Sequence, residues 1–378
     1  MDERRFLVLG GYGAVGLTVA RTLLRHTETA IVIAGRDGER ALEVSRQLAE
    51  EFPGRDVRGV AADAGDPESL RKALSEATMV VCCHSATHLA GNVVRAALET
   101  GADYLDIHFS QEHVAQLESL AVEIAAAGRC CITQAGFHPG LAAAFVRRAA
   151  PFFDTMESTV VALAMKEVIA DRTSLKSLLR DIDKDPGAVF RDGVWRRATW
   201  RDSVRADFGV GFGERSCYPI DLYEMRSIPE QHGLSEAGVY AAGFNWFVDS
   251  FVLMPAYVLH LNRWEWSLEL LSHWFVWGLR RFTRPPFGTV FQLDARGRHQ
   301  GHERVVRIRS AHEDGYLFTA IPVVACLRQY LDGSIRHPGL WMMGHACDPV
   351  RLLADMNRMG VRTEVTVDGA HVDAEARR

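Results

Sequence analysis

An α/β fold of the Rossmann type, a doubly wound parallel sheet, is predicted for residues 1–150 from three observations. Strand-like and helix-like segments alternate there at a steady pace, the pattern of repeated βαβ units. The strand segments are continuous apolar runs, such as Ala30–Ala34 and Thr78–Cys82, as a sheet covered on both faces requires. A glycine-rich turn, Gly10-Gly11-Tyr12-Gly13-Ala14-Val15-Gly16, joins the first strand to the first helix.

Taken in order, Phe6–Leu9 is the first strand. Ala14–Leu24 is a helix with Val15, Val19 and Leu23 on one face. Ala30–Ala34 is the second strand, followed by a polar helix around Glu39–Glu51. Val57–Ala61 and Thr78–Cys82 are strands three and four, with a helix at Pro67–Ser75 between them. Leu89–Glu99 is helical, Tyr104–Ile107 a strand and Val114–Ala127 a helix. Cys130–Thr133 is strand six, and Leu141–Ala150 a helix after a Pro-Gly turn.

The glycine turn contains G-x-G-x-x-G as Gly11, Gly13 and Gly16. Its position after a strand and before a helix makes it a dinucleotide fingerprint. Gly11 permits the tight turn, Gly13 lets backbone approach a pyrophosphate, and Gly16 lets the helix lie close on the strand. The helix N-terminus, with Tyr12, Ala14 and Val15 around it, then faces the phosphate charge. Strand two ends in Ala34-Gly35-Arg36-Asp37. An NAD site places a carboxylate there for the ribose 2′-hydroxyl, whereas Arg36 offers a guanidinium for a 2′-phosphate. NADP(H) is therefore expected over NAD(H), with Arg40 as a possible second donor and Asp37 as the residue that would reverse the preference. Asp63, after strand three, either caps the next helix or orients the adenine edge. Ser85, after strand four, falls beside the nicotinamide half of the cofactor.

These segments together are similar to a known family. The runs GGYGAVG, AGRDGERA, AALETGADYLDI and QAGFHPGLAAAFVRR, in this order, resemble the saccharopine dehydrogenase-like oxidoreductases. The likeness covers about residues 5–150 and resumes near 315–333. It implies a Rossmann domain, an α+β domain inserted before the C-terminus, and a nicotinamide cofactor acting on imine-type C–N bonds. The expected organisation is residues 1–150 as the NAD(P)-binding domain, 151–320 as the substrate and dimerisation domain, and 321–378 as helices returning to the first. Two departures fall where substrate should lie. A turn that commonly reads G-F/L-D-P-G carries His138 at its acidic position, and the loop Asp106–Glu112 is longer than the usual form. Tyr-x-x-x-Lys, the short-chain dehydrogenase pattern, does not occur.

His138 follows strand six on the site-bearing edge of the sheet, and an imidazole suits proton transfer near neutral pH. A structural histidine in a turn is the equal alternative. His108 and Glu112, from the loop after strand five, are candidates to pair with it, while Asp106 anchors that loop. Lys166 closes the second domain's first strand and either meets a substrate carboxylate or marks an exposed strand end. The vicinal pairs Cys82-Cys83 and Cys130-Cys131 read as small core residues. No metal is expected, because the usual zinc spacings are missing.

Beyond Phe152 the βα repeat stops. Asp181–Asp202 reads as a polar helix and loop, and Arg215–Pro229 as a short strand with turn residues. Val290–Leu293, Val305–Ile308 and Tyr316–Ala320 read as short strands, with helices at Pro322–Asp332 and Pro349–Met359. Residues 245–284 hold five tryptophans. Leu268, Leu271, Phe275 and Leu279 share one helical face, and Trp266, Leu270, Trp274 and Trp277 an adjacent one. So wide an apolar surface means core, dimer interface, substrate tunnel or membrane-surface contact, the last favoured by Arg280, Arg281 and Arg284.

The chain has 378 residues, with 48 acidic against 43 Lys and Arg for a net charge of −5. That balance gives no electrostatic reason to bind nucleic acid. The N-terminus lacks a signal-peptide shape, and seven cysteines make an unpaired count. The expected protein is a cytoplasmic homodimeric oxidoreductase with a small-molecule substrate, transferring hydride at a C=N, activated C=O or C=C bond. The alternatives are a dinucleotide sensor or scaffold without turnover, and an enzyme that keeps its cofactor bound for a redox-neutral reaction.

Overall fold

The computed structural model describes residues 4–166, 175–176, 179–180 and 187–373. They form two units, residues 1–145 with 316–361 and residues 146–315 with 362–378.

The first unit holds a seven-stranded sheet. Its strands are β1 (Arg5–Leu9), β2 (Ala30–Gly35), β3 (Val57–Ala61), β4 (Met79–Cys82), β5 (Asp103–Asp106), β6 (Cys130–Thr133) and a last strand, Gly339–Met342. They run in the order 339–342, β6, β5, β4, β1, β2, β3, and every pairing is parallel. This is the doubly wound arrangement that the alternation predicts. Strand order reverses at β1, which lies between β2 and β4, and the carboxyl ends beside that reversal are where a dinucleotide binds. Helices α1 (Ala14–His26), α2 (Gly38–Glu51), α3 (Pro67–Leu74) and α4 (Ala90–Thr100) make the crossovers. The expected single helix at 114–127 is broken at Leu120 into α5 (Gln111–Ser119) and α6 (Ala121–Ala126).

The strand expected at Tyr316–Ala320 is instead the start of a helix, Gly315–Leu331, that contains Pro322. A buried apolar run reads alike in both conformations, and Phe318, Ala320, Ile321, Val323 and Val324 are all buried here. Asp103 ties this helix to the sheet. Its carboxylate accepts from the Cys130 backbone N–H at 2.9 Å, the Tyr330 hydroxyl at 2.5 Å and Arg336 Nε at 3.1 Å.

The second unit is a ten-stranded mixed sheet centred on β7 (Thr155–Lys166). β7 pairs in parallel with Glu236–Ala242 and antiparallel with Gly288–His299. The latter forms a long hairpin with His302–His312. Strands Arg362–Val367 and Ala370–Val372 extend this sheet. Where a helix and loop were expected at 181–202, residues 188–197 form a hairpin, Ala188–Arg191 with Val194–Arg197; residues 181–186 lie outside the described residues. The turn is Asp192-Gly193, both at positive φ, which is the two-residue hairpin chemistry.

The tryptophan-rich segment ends in a helix, Glu265–Phe282. Leu268, Leu271, Phe275 and Leu279 are buried against Val248, Val252 and Ala256. The adjacent face is uncovered in this chain: Trp266 is 68% exposed and Trp277 52%. Core packing thus accounts for one face only.

Candidate functional site

Gly11, Tyr12, Gly13, Ala14, Val15 and Gly16 form the turn from β1 and the first residues of α1. A Cβ on Gly16 would sit 2.3 Å from the Gly10 carbonyl oxygen, so only glycine lets α1 start this close to the strand. Gly13, the N-cap, has no side chain to satisfy the first N–H groups, and the first turn of α1 carries no acidic residue. Gly13 and Ala14 are exposed. Backbone donors therefore face outward with the positive end of the helix behind them, the requirement for a pyrophosphate.

The end of β2 settles what Asp37 does. Its carboxylate caps α2 by accepting from the Arg40 backbone N–H at 3.0 Å, which turns it to the helix. Tyr12 lies over Gly35, where a Cβ would be 2.4 Å from the ring, and its hydroxyl accepts from the Asp37 N–H at 3.2 Å. The Arg40 guanidinium sits over the Tyr12 ring at 5.0 Å. Arg36 is exposed beside this cluster. Two guanidinium groups at the ribose end, with the nearest carboxylate engaged in capping, fit a 2′-phosphate. Asp63 is committed locally, accepting from the Gly65 N–H at 2.9 Å, while Asp66 caps α3. Ser85 is exposed in the loop after β4.

Beyond the carboxyl ends of β4, β5 and β6 lies a cluster of histidines. Asp106, fully buried at the end of β5, accepts from the His108 N–H at 2.9 Å and from the Gln134 N–H at 3.3 Å. Its other oxygen is 2.8 Å from His113 Nε2. Burial alone would raise the Asp106 carboxyl, but the charge and hydrogen bond of His113 outweigh it and hold it at about 2. Burial would likewise lower His113, yet Asp106 raises it above its ordinary value. His108 Nε2 is 2.7 Å from the His84 carbonyl, and its ring meets His113 edge-on at 4.5 Å between centroids. Burial lowers His108 and takes His84 down to about 4.

His138 stacks on Phe109 at 5.1 Å between ring centroids. Burial pushes its imidazole down to about 4, so it is neutral at pH 7. Glu112 is exposed on α5, and it is the next residue, His113, that turns inward to the cluster. His113 was not among the expected site residues. The readable signal is its place on the buried stripe His113, Leu117, Leu120, Ile124, at helical spacing.

The depressed His138 pKa has a testable consequence. The unfolded chain takes up a proton near pH 6.5 that the folded protein refuses until about pH 4. The His138 contribution is therefore fully present above pH 6.5 and is lost as the pH falls toward 4. Through this group alone, stability should drop by roughly 2–3 kcal/mol across that window, at about 1.36 kcal/mol per pKa unit. Urea unfolding of wild type and His138→Gln at pH 7 and pH 4.5 measures it. The variant should lose less stability than wild type, and parallel losses would contradict the burial.

Lys166 belongs to the second unit. Its Nζ donates to the Gly211 carbonyl and lies over the Phe212 ring at 5.4 Å. It lines a cavity of about 470 Å³ with Arg215, Tyr218, Asn245, Trp246 and Arg284. Burial and the neighbouring Arg215 lower its pKa. Among the described residues none of the seven cysteines is in a disulfide, and all but Cys83 are buried.

Comparison with known proteins places this geometry. Residues 6–132 match the family described as the saccharopine dehydrogenase NADP binding domain. That match supports NADP(H) as the cofactor, as expected. A probable mitochondrial saccharopine dehydrogenase-like oxidoreductase of Arabidopsis thaliana is 29% identical over 122 residues, 30% of this chain and 27% of that protein. The matched stretch thus spans about a quarter of the relative's length. Among solved structures, apo saccharopine dehydrogenase (L-Glu forming) from Saccharomyces cerevisiae has the same fold, with a TM-score of 0.70, 14% identity, and coverage of 96% of this chain and 99% of that one.

Proposed function

We propose that the chain is an NADP(H)-dependent oxidoreductase acting on a C=N bond, or an activated C=O or C=C bond, of a small to moderately apolar substrate. The observation that carries this reading is the set of neutral imidazoles, buried on His108 and half-buried on His84 and His138, beside the strand ends of an NADP-binding domain. Bound cofactor supplies or accepts the hydride. His138, held flat against Phe109, offers one hydrogen bond to a substrate heteroatom and can accept or return a proton there. The exposed Gly13–Ala14 turn and Arg36 orient the dinucleotide at its phosphates. In the second unit, the three cations Lys166, Arg215 and Arg284 around one cavity suit an anionic group. Loss of NADPH absorbance over a panel of imines, enones and ketones tests the reading. Turnover should fall ~100-fold or more in His138→Ala, the usual scale for a lost acid–base group. Tight NADPH binding with no turnover would favour a sensor, and NADP(H) co-purifying with the chain a redox-neutral enzyme.

A second feature concerns where it works. Among the described residues, no helix is long and apolar enough to cross a membrane. Trp264, Trp266, Trp274 and Trp277 are nevertheless exposed together with Met254 and Leu259. Glu265 and Glu269 of the same helix are already paired with Arg180 and Lys176, whereas Arg280, Arg281 and Arg284 are exposed at its end. Exposed indoles beside arginines that have no acidic partner among the described residues suit an anionic lipid surface, so the reading sets a cytoplasmic enzyme against such a membrane. Co-sedimentation should be several-fold greater with phosphatidylserine-containing vesicles than with phosphatidylcholine alone, and lost in Trp274→Ser/Trp277→Ser. Equal sedimentation, with a dimer in solution that this double variant splits, would instead assign the face to a homodimer.

A further inference from the structure

The histidine cluster contains more nitrogen donors than its hydrogen bonds use. His108 Nε2 is taken up by the His84 carbonyl at 2.7 Å. If that nitrogen carries the ring's proton, Nδ1 is left as a lone pair. His108 is only 5% exposed, and its Nδ1 has no hydrogen-bond partner among the described residues. That atom stands 3.9 Å from Asp106 Oδ1, so two acceptors confront each other in a buried site with no proton between them. On the other side of Asp106, His113 Nε2 is 2.8 Å from Oδ2. One carboxylate oxygen and two imidazole nitrogens, from Asp106, His108 and His113, thus lie within 4.8 Å of one another. A second set, from Cys82, His84 and His108, meets the same limit, and His84 Nε2 is also buried without a partner.

Facing lone pairs in a dry site repel unless a cation lies between them. Once His113 gives up its proton, two imidazoles and a carboxylate are a borderline ligand set, suited to zinc and its neighbours more than to magnesium or calcium. The backbone N–H groups of His108 and Gln134 already orient the carboxylate, which is the outer support that metal ligands usually have. We propose that Asp106, His108 and His113 form a site for one divalent transition-metal ion of the zinc class. His84 and Cys82 form a neighbouring group that shares His108 with this set. Binding displaces the proton that His113 shares with Asp106, and it links the β4 and β5 loops to the start of α5. The zinc spacings sought in the sequence miss this set because its three ligands span Asp106-x-His108 and a helix start five residues further on.

The test uses the untagged full chain, dialysed against chelator and then titrated with Co²⁺, followed by ligand-field absorption and by competition with Zn²⁺. One equivalent should bind, with the absorption of a low-coordinate nitrogen–oxygen site. Affinity should fall roughly 100-fold or more in His108→Ala, beyond the 10–100-fold typical of losing an outer-shell partner. His113→Gln keeps an amide that can donate to Asp106 but offers no imidazole lone pair. It should fold, bind NADPH and fail to bind cobalt, which separates loss of the site from loss of the fold. Absence of stoichiometric cobalt in wild type, or equal binding by both variants, would overturn the proposal. Neither result depends on turnover, so the metal site and the oxidoreductase reading fail separately.

Discussion

Valine in place of Gly16 is expected to abolish NADPH binding, weakening it by ~100-fold or more. The position tolerates no Cβ: it would lie 2.3 Å from the Gly10 carbonyl oxygen, 2.9 Å from its carbon and 3.0 Å from Gly11 Cα. All three obstacles are backbone, so no rotamer change relieves them. The start of α1 must move away from the turn, taking with it the N–H groups that face the pyrophosphate. Overpacking of this kind costs roughly 1–3 kcal/mol, and about 1.4 kcal/mol is a factor of ten in affinity. Two tenfold steps therefore need only the upper part of that range. Fluorescence titration with NADPH, beside a thermal melt showing the variant folded, is the measurement. Binding within about threefold of wild type would mean that the turn does not carry the cofactor.

Asp103→Ala should be the most destabilising single change in the first unit, at roughly 3–5 kcal/mol. The carboxylate is 2% exposed and receives three donors from separate parts of the chain. Removing it leaves the Cys130 N–H and the buried Tyr330 hydroxyl without an acceptor, each costing about 1–3 kcal/mol. It also removes the partner of Arg336, and breaking a buried ion pair costs about 3–5 kcal/mol when the remaining charge stays buried. The Arg336 side chain is 41% exposed, so its own share is small. Asp103→Asn keeps one acceptor oxygen and should cost less. Urea denaturation of both variants gives the difference, and a loss below about 1 kcal/mol for alanine would show that the helix at 315–331 is held by packing alone.

Six of the seven strands of the first sheet were legible as short runs bounded by turns, and the crossover helices by their periodic faces, whereas the seventh strand, Gly339–Met342, was not read from the sequence. Legibility failed where periodicity carries no information. Tyr316–Ala320 is a short apolar run with Phe318 and Ala320 buried and Tyr316 exposed, a pattern that a strand and a helix share, and only its 17-residue context distinguishes them. The hairpin at 188–197 was hidden by polar residues, although Asp192-Gly193 was present as a turn signal. At the site, the cofactor turn and Arg36 follow from local chemistry. The histidine cluster does not, because it depends on how the chain turns between β5 and α5. Ser110, the N-cap of α5, sets the phase that exposes Glu112 and buries His113, a difference of one residue that composition cannot show. Asp37 illustrates the reverse case: an ambiguous charge at the ribose end became interpretable once its carboxylate was seen capping α2.

Selectivity for NADP(H) is predicted to rest on Arg36, and titration of NADPH and NADH into wild type and Arg36→Ala measures it. Hydrogen bonds to charged groups contribute about 1.5–3 kcal/mol, so wild type should bind NADPH roughly 10–100-fold more tightly than NADH. Arg36→Ala should lose most of that preference while NADH affinity stays nearly unchanged. Equal affinities in wild type, or a preference that survives the substitution, would mean that Arg36 does not hold a 2′-phosphate.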